Sequence, residues 1–137
     1  MPPFRYVQTV RFGDIDHAGI VFYPRFFNYC HIAFEELFGQ GEYCRVLDER
    51  RIGFPAVHVE CDFQRPLRFG DRVAVDVQLV RMGGRSLTLR YVLSKEGDPS
   101  GATCAEAKIT CAIVNLDTFQ SVPLPEGLRR LFEALKP

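Results

Sequence analysis

Residues 11–38 read RFGDIDHAGIVFYPRFFNYCHIAFEELF, a polar, glycine-containing loop that ends on a proline and runs into an apolar stripe. Phe26, Phe27, Cys30, Ala33, Phe34, Leu37 and Phe38 recur every three or four residues, the period of one helical face, and Gly39 and Gly41 supply a stop. Upstream, Phe4, Tyr6, Gln8, Val10 and Phe12 alternate with Arg5, Val7, Thr9 and Arg11, which predicts a strand ending at Gly13. Strand, loop, helix is therefore the local order.

The loop carries the chemistry. Pro24 suits the first helical position because it has no N–H to leave unpaired, and Tyr23 before it is a poor capping residue. First-turn amides are thus left for a ligand, at the partially positive end of a helix. Asp16 lies seven residues upstream of Tyr23, in a loop able to fold back over that end. A carboxylate beside unpaired amides is suited to attack an acyl carbon, or to activate water toward it, while the amides hold the acyl oxygen. The same residues also suit an ordinary turn, with Asp14 and Asp16 bonding backbone two residues on and Gly19 as a turn glycine. His17 alone reads more readily as a solvated loop residue than as a catalytic base.

Outward from the helix, Glu42 to Arg51 reads as a short second helix with few apolar residues. From Phe54 onward an extended segment alternates Val57, Val59, Cys61 and Phe63 with His58, Glu60, Asp62 and Gln64 until Pro66. Arg72 to Met82 is a long strand, Gly83-Gly84 a two-residue hairpin signal, and Arg85 to Lys95 the returning strand. The turn EGDPSG precedes a last long strand over Ala102 to Leu116, Pro123 and Pro125 stop it, and Glu126 to Leu135 forms a terminal helix. Four long strands after one long apolar helix predict an α+β arrangement, an antiparallel sheet wrapped around that helix, rather than alternating βαβ. Such a sheet leaves an edge strand unpaired, and edge-to-edge dimerisation would cover it.

Composition bounds the function. A chain of 137 residues, 47% apolar and 25% charged, is read as one domain over residues 1–137 with enough material for a core around one helix. Its 17 basic and 17 acidic residues balance, so no broad basic face for nucleic acid is indicated. MPPFRYVQTV has no long apolar run after a basic start, and no segment approaches the roughly 18 continuous apolar residues of a spanning helix. No membrane partner and a cytoplasmic location are expected. The five cysteines, at 30, 44, 61, 104 and 111, are odd in number and form no CxxC pair, which is neither a disulfide framework nor a metal site. Cys30 falls on the apolar stripe and reads as a buried small hydrophobe despite its neighbour His31.

The stretch from Phe12 to Phe27 resembles the N-terminal signature of the 4-hydroxybenzoyl-CoA thioesterase family of hotdog-fold proteins. Phe12, Asp14, Asp16, Gly19, Tyr23 and Phe26 or Phe27 occupy its F-x-D-x-D-x-x-G-x-x-x-Y-x-x-Y/F positions. RPLRFGD at 65–71 resembles the family's P-x-x-x-G-D element, and GRSL at 84–87 the turn opening the next strand. The resemblance implies a hotdog fold, a dimer or dimer-of-dimers tetramer with the acyl pocket at the subunit interface, and an acyl-CoA substrate. It implies Asp16 as the catalytic carboxylate and the Tyr23 backbone amide as the donor that polarises the thioester carbonyl. His17 and Gly19 would border the substrate in the same loop, Phe54 the acyl end, and His58, with Glu60 or Asp62, the pocket from across the interface. Arg85 and Ser86 match the family's turn where the nucleotide lies, with Arg81, Arg90 and Lys108 as further cations.

The expected reaction is hydrolysis of an aromatic or short- to medium-chain acyl-CoA to free acid and CoA, with Asp16 as nucleophile or as general base. No metal or redox cofactor is implied, CoA being part of the substrate. Phe22 stands where the aromatic-specific member has a tryptophan. Two other readings use the same fold: a hydratase or dehydratase with His31 moving a proton α to a carbonyl, and a non-catalytic acyl-CoA or acyl-carrier binding protein. Against the latter, an uncompensated carboxylate beside a buried acyl group has a desolvation cost that only function would explain.

Overall fold

The computed structural model describes residues 4–39 and 42–137. Strand β1 (Arg5–Thr9) is followed by a 3-10 turn (Phe12–Asp14), helix α1 (Arg25–Phe38) and helix α2 (Glu42–Arg50). The chain continues through β2 (Ile52–Gly53), β3 (Ala56–Phe63), β4 (Arg72–Met82), β5 (Ser86–Lys95), β6 (Thr103–Ala112), β7 (Val114–Asn115) and helix α3 (Glu126–Glu133). β1, β4, β5, β6 and β3 form one antiparallel sheet in that order, and β2 and β7 a two-stranded one. This is the expected α+β, sheet-around-helix arrangement.

The registers explain the layering. Val75, Leu93, Ala105 and Phe63 align across four strands, as do Val77, Tyr91, Ala107 and Cys61, and Leu79, Leu89, Ile109 and Val59. These columns face α1, whose buried side presents Phe26, Tyr29, Cys30, Ala33 and Leu37. Cross-strand neighbours of the alternate set, such as Arg90 with Lys108 and Thr88 with Thr110, lie on the opposite, polar face. At the end of α1 remote from its start, Phe34, Phe38 and Phe54 pack around Phe132 of α3, with ring centroids 5.9–6.4 Å from it. Phe132 itself has no solvent exposure.

Several boundaries differ from the sequence reading. β1 stops at Thr9 rather than Gly13, because Asp14 turns back to accept the Arg11 N–H and closes the 3-10 turn. The hairpin tip is Gly84-Arg85 rather than Gly83-Gly84, closed by the Gly83 N–H on the Ser86 carbonyl at 3.0 Å. The last strand breaks at Ile113: β5 begins at Ser86, so beyond Ala112 the chain runs out of ladder and pairs with β2 instead. The third strand starts at Ala56 rather than Phe54, with a register irregularity between Ala56 and His58. Helix α1 ends at Gly39 as expected, while Gly41 lies outside the described residues.

Sheet edges remain at β1 and β3. Along β3, Val57 is 63% exposed, Val59 44% and Phe63 47%. An edge with this much apolar surface is a pairing site that a soluble protein must cover.

Candidate active site

The loop before α1 doubles back as a miniature antiparallel ribbon. The Phe22 N–H donates to the Asp14 carbonyl at 2.9 Å, Ile15 pairs with Val21, and the Asp16 N–H donates to the Ile20 carbonyl at 2.9 Å. Gly19, at φ +80°, closes the end by donating to the Asp16 carbonyl, a conformation that disfavours any side chain. Alternate residues of a ribbon share a face. Ile15 and Val21 therefore turn to the core, and the exposed Asp16 and Phe22 to the other side. Diagonal neighbours across such a pair are roughly 7–8 Å apart, which sets Asp16 beside Phe22 on that face.

Main-chain bonds fix this ribbon to residues 65–71. The Val21 N–H donates to the Leu67 carbonyl at 2.8 Å, Ile20 bridges Arg68, and the Val10 N–H donates to the Asp71 carbonyl at 2.8 Å. Leu67 and Val10 have no exposure. The RPLRFGD segment is thus the brace of the loop.

The two aspartates have different surroundings. Asp14 is half-buried, and its Oδ2 accepts the Arg11 N–H at 3.0 Å and the Tyr29 hydroxyl at 2.8 Å. Burial, and then that hydrogen bond, hold the Tyr29 phenol well above its usual range, so it donates throughout neutral pH. Asp16 is exposed, and among the described residues its side chain accepts one bond, from the Ala18 N–H to Oδ1 at 2.8 Å. Its second oxygen is uncommitted.

Helix α1 opens without a side-chain cap. Pro24 sits at the N-cap rather than at the first helical position, with helical φ −64° and ψ −22°. Arg25 and Phe26 donate back to the carbonyls of Phe22 and Tyr23 at 2.8 and 3.2 Å, so amides expected to be free are taken by a tight turn. The Tyr23 N–H has no acceptor among the described residues. Beside it runs a cavity of about 360 Å³ lined by Ile20, Val21, Tyr23, Phe26, Phe63 and Arg65 among others. Phe63, at the end of the β3 edge, packs on both Phe26 and Tyr23, with ring centroids 5.1 and 6.2 Å away.

Asp16, His17 and Gly19 lie in the ribbon, and Tyr23 follows it just before α1. Phe54, Arg85 and Ser86 lie at the other end of the sheet, separated from the loop by most of β4, whose 11 residues span about 35 Å. Phe54 there borders a mainly apolar cavity of about 470 Å³ with Phe27, Phe34, Val59, Tyr91 and Ile109. His58 lies on the outward face of β3, its Nε2 3.9 Å from Glu60 Oε1, and both side chains are well exposed. His31 also borders the apolar cavity, but its Nε2 pairs with Glu35 Oε1 at 2.9 Å on an exposed flank of α1. Burial raises the Cys30 thiol, and that of Cys61 to about 11, so neither is a ready nucleophile. Among the described residues no three His, Cys, Asp or Glu side chains gather as metal ligands, and no helix is long and apolar enough to cross a membrane.

Tyr29 and Phe63 were not among the residues singled out from sequence. A tyrosine three residues after Phe26, on the buried stripe, was the available signal, since a buried hydroxyl needs a partner.

Comparison with known proteins places this geometry in context. A family profile described as the thioesterase-like superfamily matches residues 10–132. The chain is 32% identical over 132 residues, 94% of each protein, to a 1,4-dihydroxy-2-naphthoyl-CoA hydrolase of Synechococcus elongatus. It superposes on a gentisyl-coenzyme A thioesterase with a TM-score of 0.76 at 32% identity, covering 94% of this chain and 99% of that one. A 1,4-dihydroxy-2-naphthoyl-CoA thioesterase from Synechocystis shares the fold, with a TM-score of 0.82 at 24% identity and 94% of each chain covered.

Proposed function

The chain belongs to the thioesterase-like superfamily, and from that premise we propose that it hydrolyses an aromatic acyl-CoA thioester to the free acid and CoA. What supports the reading is an exposed Asp16 carboxylate that accepts one bond, in the loop leading to a Tyr23 N–H that has no acceptor among the described residues, just before α1. The amide, reinforced by the helix dipole, polarises the thioester carbonyl and takes up the charge that develops on its oxygen. Asp16 then either attacks the carbonyl carbon, expelling the CoA thiolate and leaving an anhydride that water opens, or removes a proton from the attacking water. Both routes consume one water and yield the acid and the thiol. Asp14 does not take part; it fixes the ribbon.

An aromatic acyl group is supported by the relatives, which are named for naphthoyl and gentisyl thioesters. It is supported also by the aromatic lining at both ends of α1.

The active unit is a homodimer paired through β3. An antiparallel, two-fold pairing of this edge sets the Ala56 end of one strand against the Phe63 end of the other. The apolar cavity around the partner's Phe54 then adjoins the first subunit's Tyr23. Within that arrangement the helix-facing Val59 borders the pocket, and His58 stays on the outer face.

Free-thiol release from a panel of benzoyl-, hydroxybenzoyl-, naphthoyl- and straight-chain acyl-CoAs tests the reading, with Asp16→Asn alongside. Aromatic thioesters should be hydrolysed fastest, and only with Asp16 intact. Conversion of an enoyl-CoA without thiol release would instead indicate the hydratase chemistry, with His31 as the proton carrier.

A further inference from the structure

We propose that the Tyr91 hydroxyl selects the acyl group, by hydrogen-bonding a hydroxyl carried on the part of the aromatic ring remote from the thioester. Tyr91 is then a specificity-determining residue that separates hydroxylated from plain aroyl thioesters. This inference rests on the acyl-CoA reading above.

The placement follows from register. Tyr91 stands between Val77 and Ala107 in a helix-facing column and is 3% exposed. Both neighbours are apolar, and α1 brings the buried Cys30 over it. A hydroxyl buried in such surroundings needs a partner. Among the described residues no hydrogen bond reaches that of Tyr91. Its oxygen is not walled in either, since the fully enclosed side-chain polar atom without a partner among those residues is Arg90 Nε. The hydroxyl therefore keeps an opening, and the space that Tyr91 lines is the apolar cavity of about 470 Å³.

The direction of the side chain agrees. The thiols of Cys30 and Cys111 both act electrostatically on the Tyr91 phenol. Cys111 pairs with Leu87, which is four residues from Tyr91 along β5, about 13 Å. To come near it the side chain leans along the strand, past Leu89 and Ile109, which is the way to the cavity. Phe27, Phe34, Phe54, Val59 and Ile109 give that cavity walls of hydrocarbon. Burial holds the phenol far above its usual range, so the group stays neutral throughout neutral pH, with one proton to donate and lone pairs to accept.

An aromatic ring suits the walls, and one hydroxyl on it completes Tyr91. An unsubstituted ring would enclose the same hydroxyl without a partner. Sites of that kind reject an analogue that lacks the matching polar group. With the thioester carbonyl held at the Tyr23 N–H, ring positions 3 and 4 reach inward and position 2 stays beside the thioester.

The test measures kcat/KM for benzoyl-CoA and its 2-, 3- and 4-hydroxy derivatives in wild type and in Tyr91→Phe. Wild type should favour the 3- or the 4-hydroxy ring over the plain one by about ten- to a hundredfold. In Tyr91→Phe that ratio should approach one, the hydroxylated substrate slowing while benzoyl-CoA speeds up. The ratio for the 2-hydroxy ring should stay as it was. A merely structural role slows all four substrates together and lowers the urea midpoint, whereas removal of an oxygen without a protein partner should leave the midpoint in place. No preference in wild type, a preference that survives in Tyr91→Phe, or an equal loss on every substrate overturns the proposal.

If wild type releases no thiol from any acyl-CoA, the hydrolase reading fails by itself. Calorimetry with benzoate and with 3- and 4-hydroxybenzoate then decides this one. Tighter binding of a hydroxylated acid that is lost in Tyr91→Phe supports it, and equal binding, or none, overturns it.

Discussion

Asp14 and Asp16 are chemically the same side chain two residues apart, and their surroundings separate them. Asp16→Asn keeps the shape and, through its amide oxygen, the bond from the Ala18 N–H. Turnover should drop by on the order of 10²- to 10⁴-fold, with urea denaturation unchanged. Asp14→Asn should act through geometry, weakening the Tyr29 and Arg11 bonds, and give a smaller loss of kcat together with lower stability. Tyr29 adds a dependence on pH. Its phenol is raised above the ordinary value of 10.0, by burial first and by Asp14 second. A folded-state value above the unfolded one stabilises fully below pH 10 and is lost as pH rises beyond it, because the unfolded chain sheds a proton that the folded chain keeps. Denaturation profiles at rising alkaline pH should therefore show wild type losing stability more steeply than Tyr29→Phe. Tyr91, buried and raised for the same reason, keeps part of the slope in both proteins.

At the scale of elements, α1 is held at its start by backbone and at its end by rings. Phe132 of α3 meets Phe34, Phe38 and Phe54 and is fully buried. Phe132→Ala should cost about 3–5 kcal/mol, read from the urea midpoint, and detach α3. The helix was legible in the sequence because its apolar period is strong and Gly39 ends it. The strands were legible because Val73, Val75, Val77 and Leu79 alternate cleanly. What stayed hidden was whatever depends on a partner remote in the chain. Nothing at Ile113 marks a break, since it follows from where β5 begins. The Tyr29–Asp14 bond spans 15 residues that share no periodic signal. Asp16 and Tyr23 were singled out through the motif, whereas the Tyr23 N–H, without an acceptor among the described residues, emerged only once Arg25 and Phe26 had found theirs.

For the whole molecule, the proposed β3-paired dimer would join the Asp16 loop of one subunit to the Phe54 cavity of the other, which makes assembly and activity one question. Placing Val57→Lys and Val59→Lys together on the β3 edge should yield a monomer by size-exclusion light scattering, charges being a common guard against edge pairing. Thiol release should fall with it by at least about tenfold. Wild-type specific activity should likewise decline on dilution, in step with dissociation followed by sedimentation.

The ribbon that carries Asp16 is tied to residues 65–71 by carbonyls and amides, which are the same whatever side chain a residue bears. Its frame is therefore nearly indifferent to sequence at His17, Ala18 and Ile20, provided Gly19 keeps its backbone freedom. Such a loop can vary without unfolding, and a library randomised at those three positions should return mostly folded proteins that differ in which thioester they prefer. On the proposed reading the chemistry is anchored where substitution is least felt, and this leaves evolution free to retune the substrate around it.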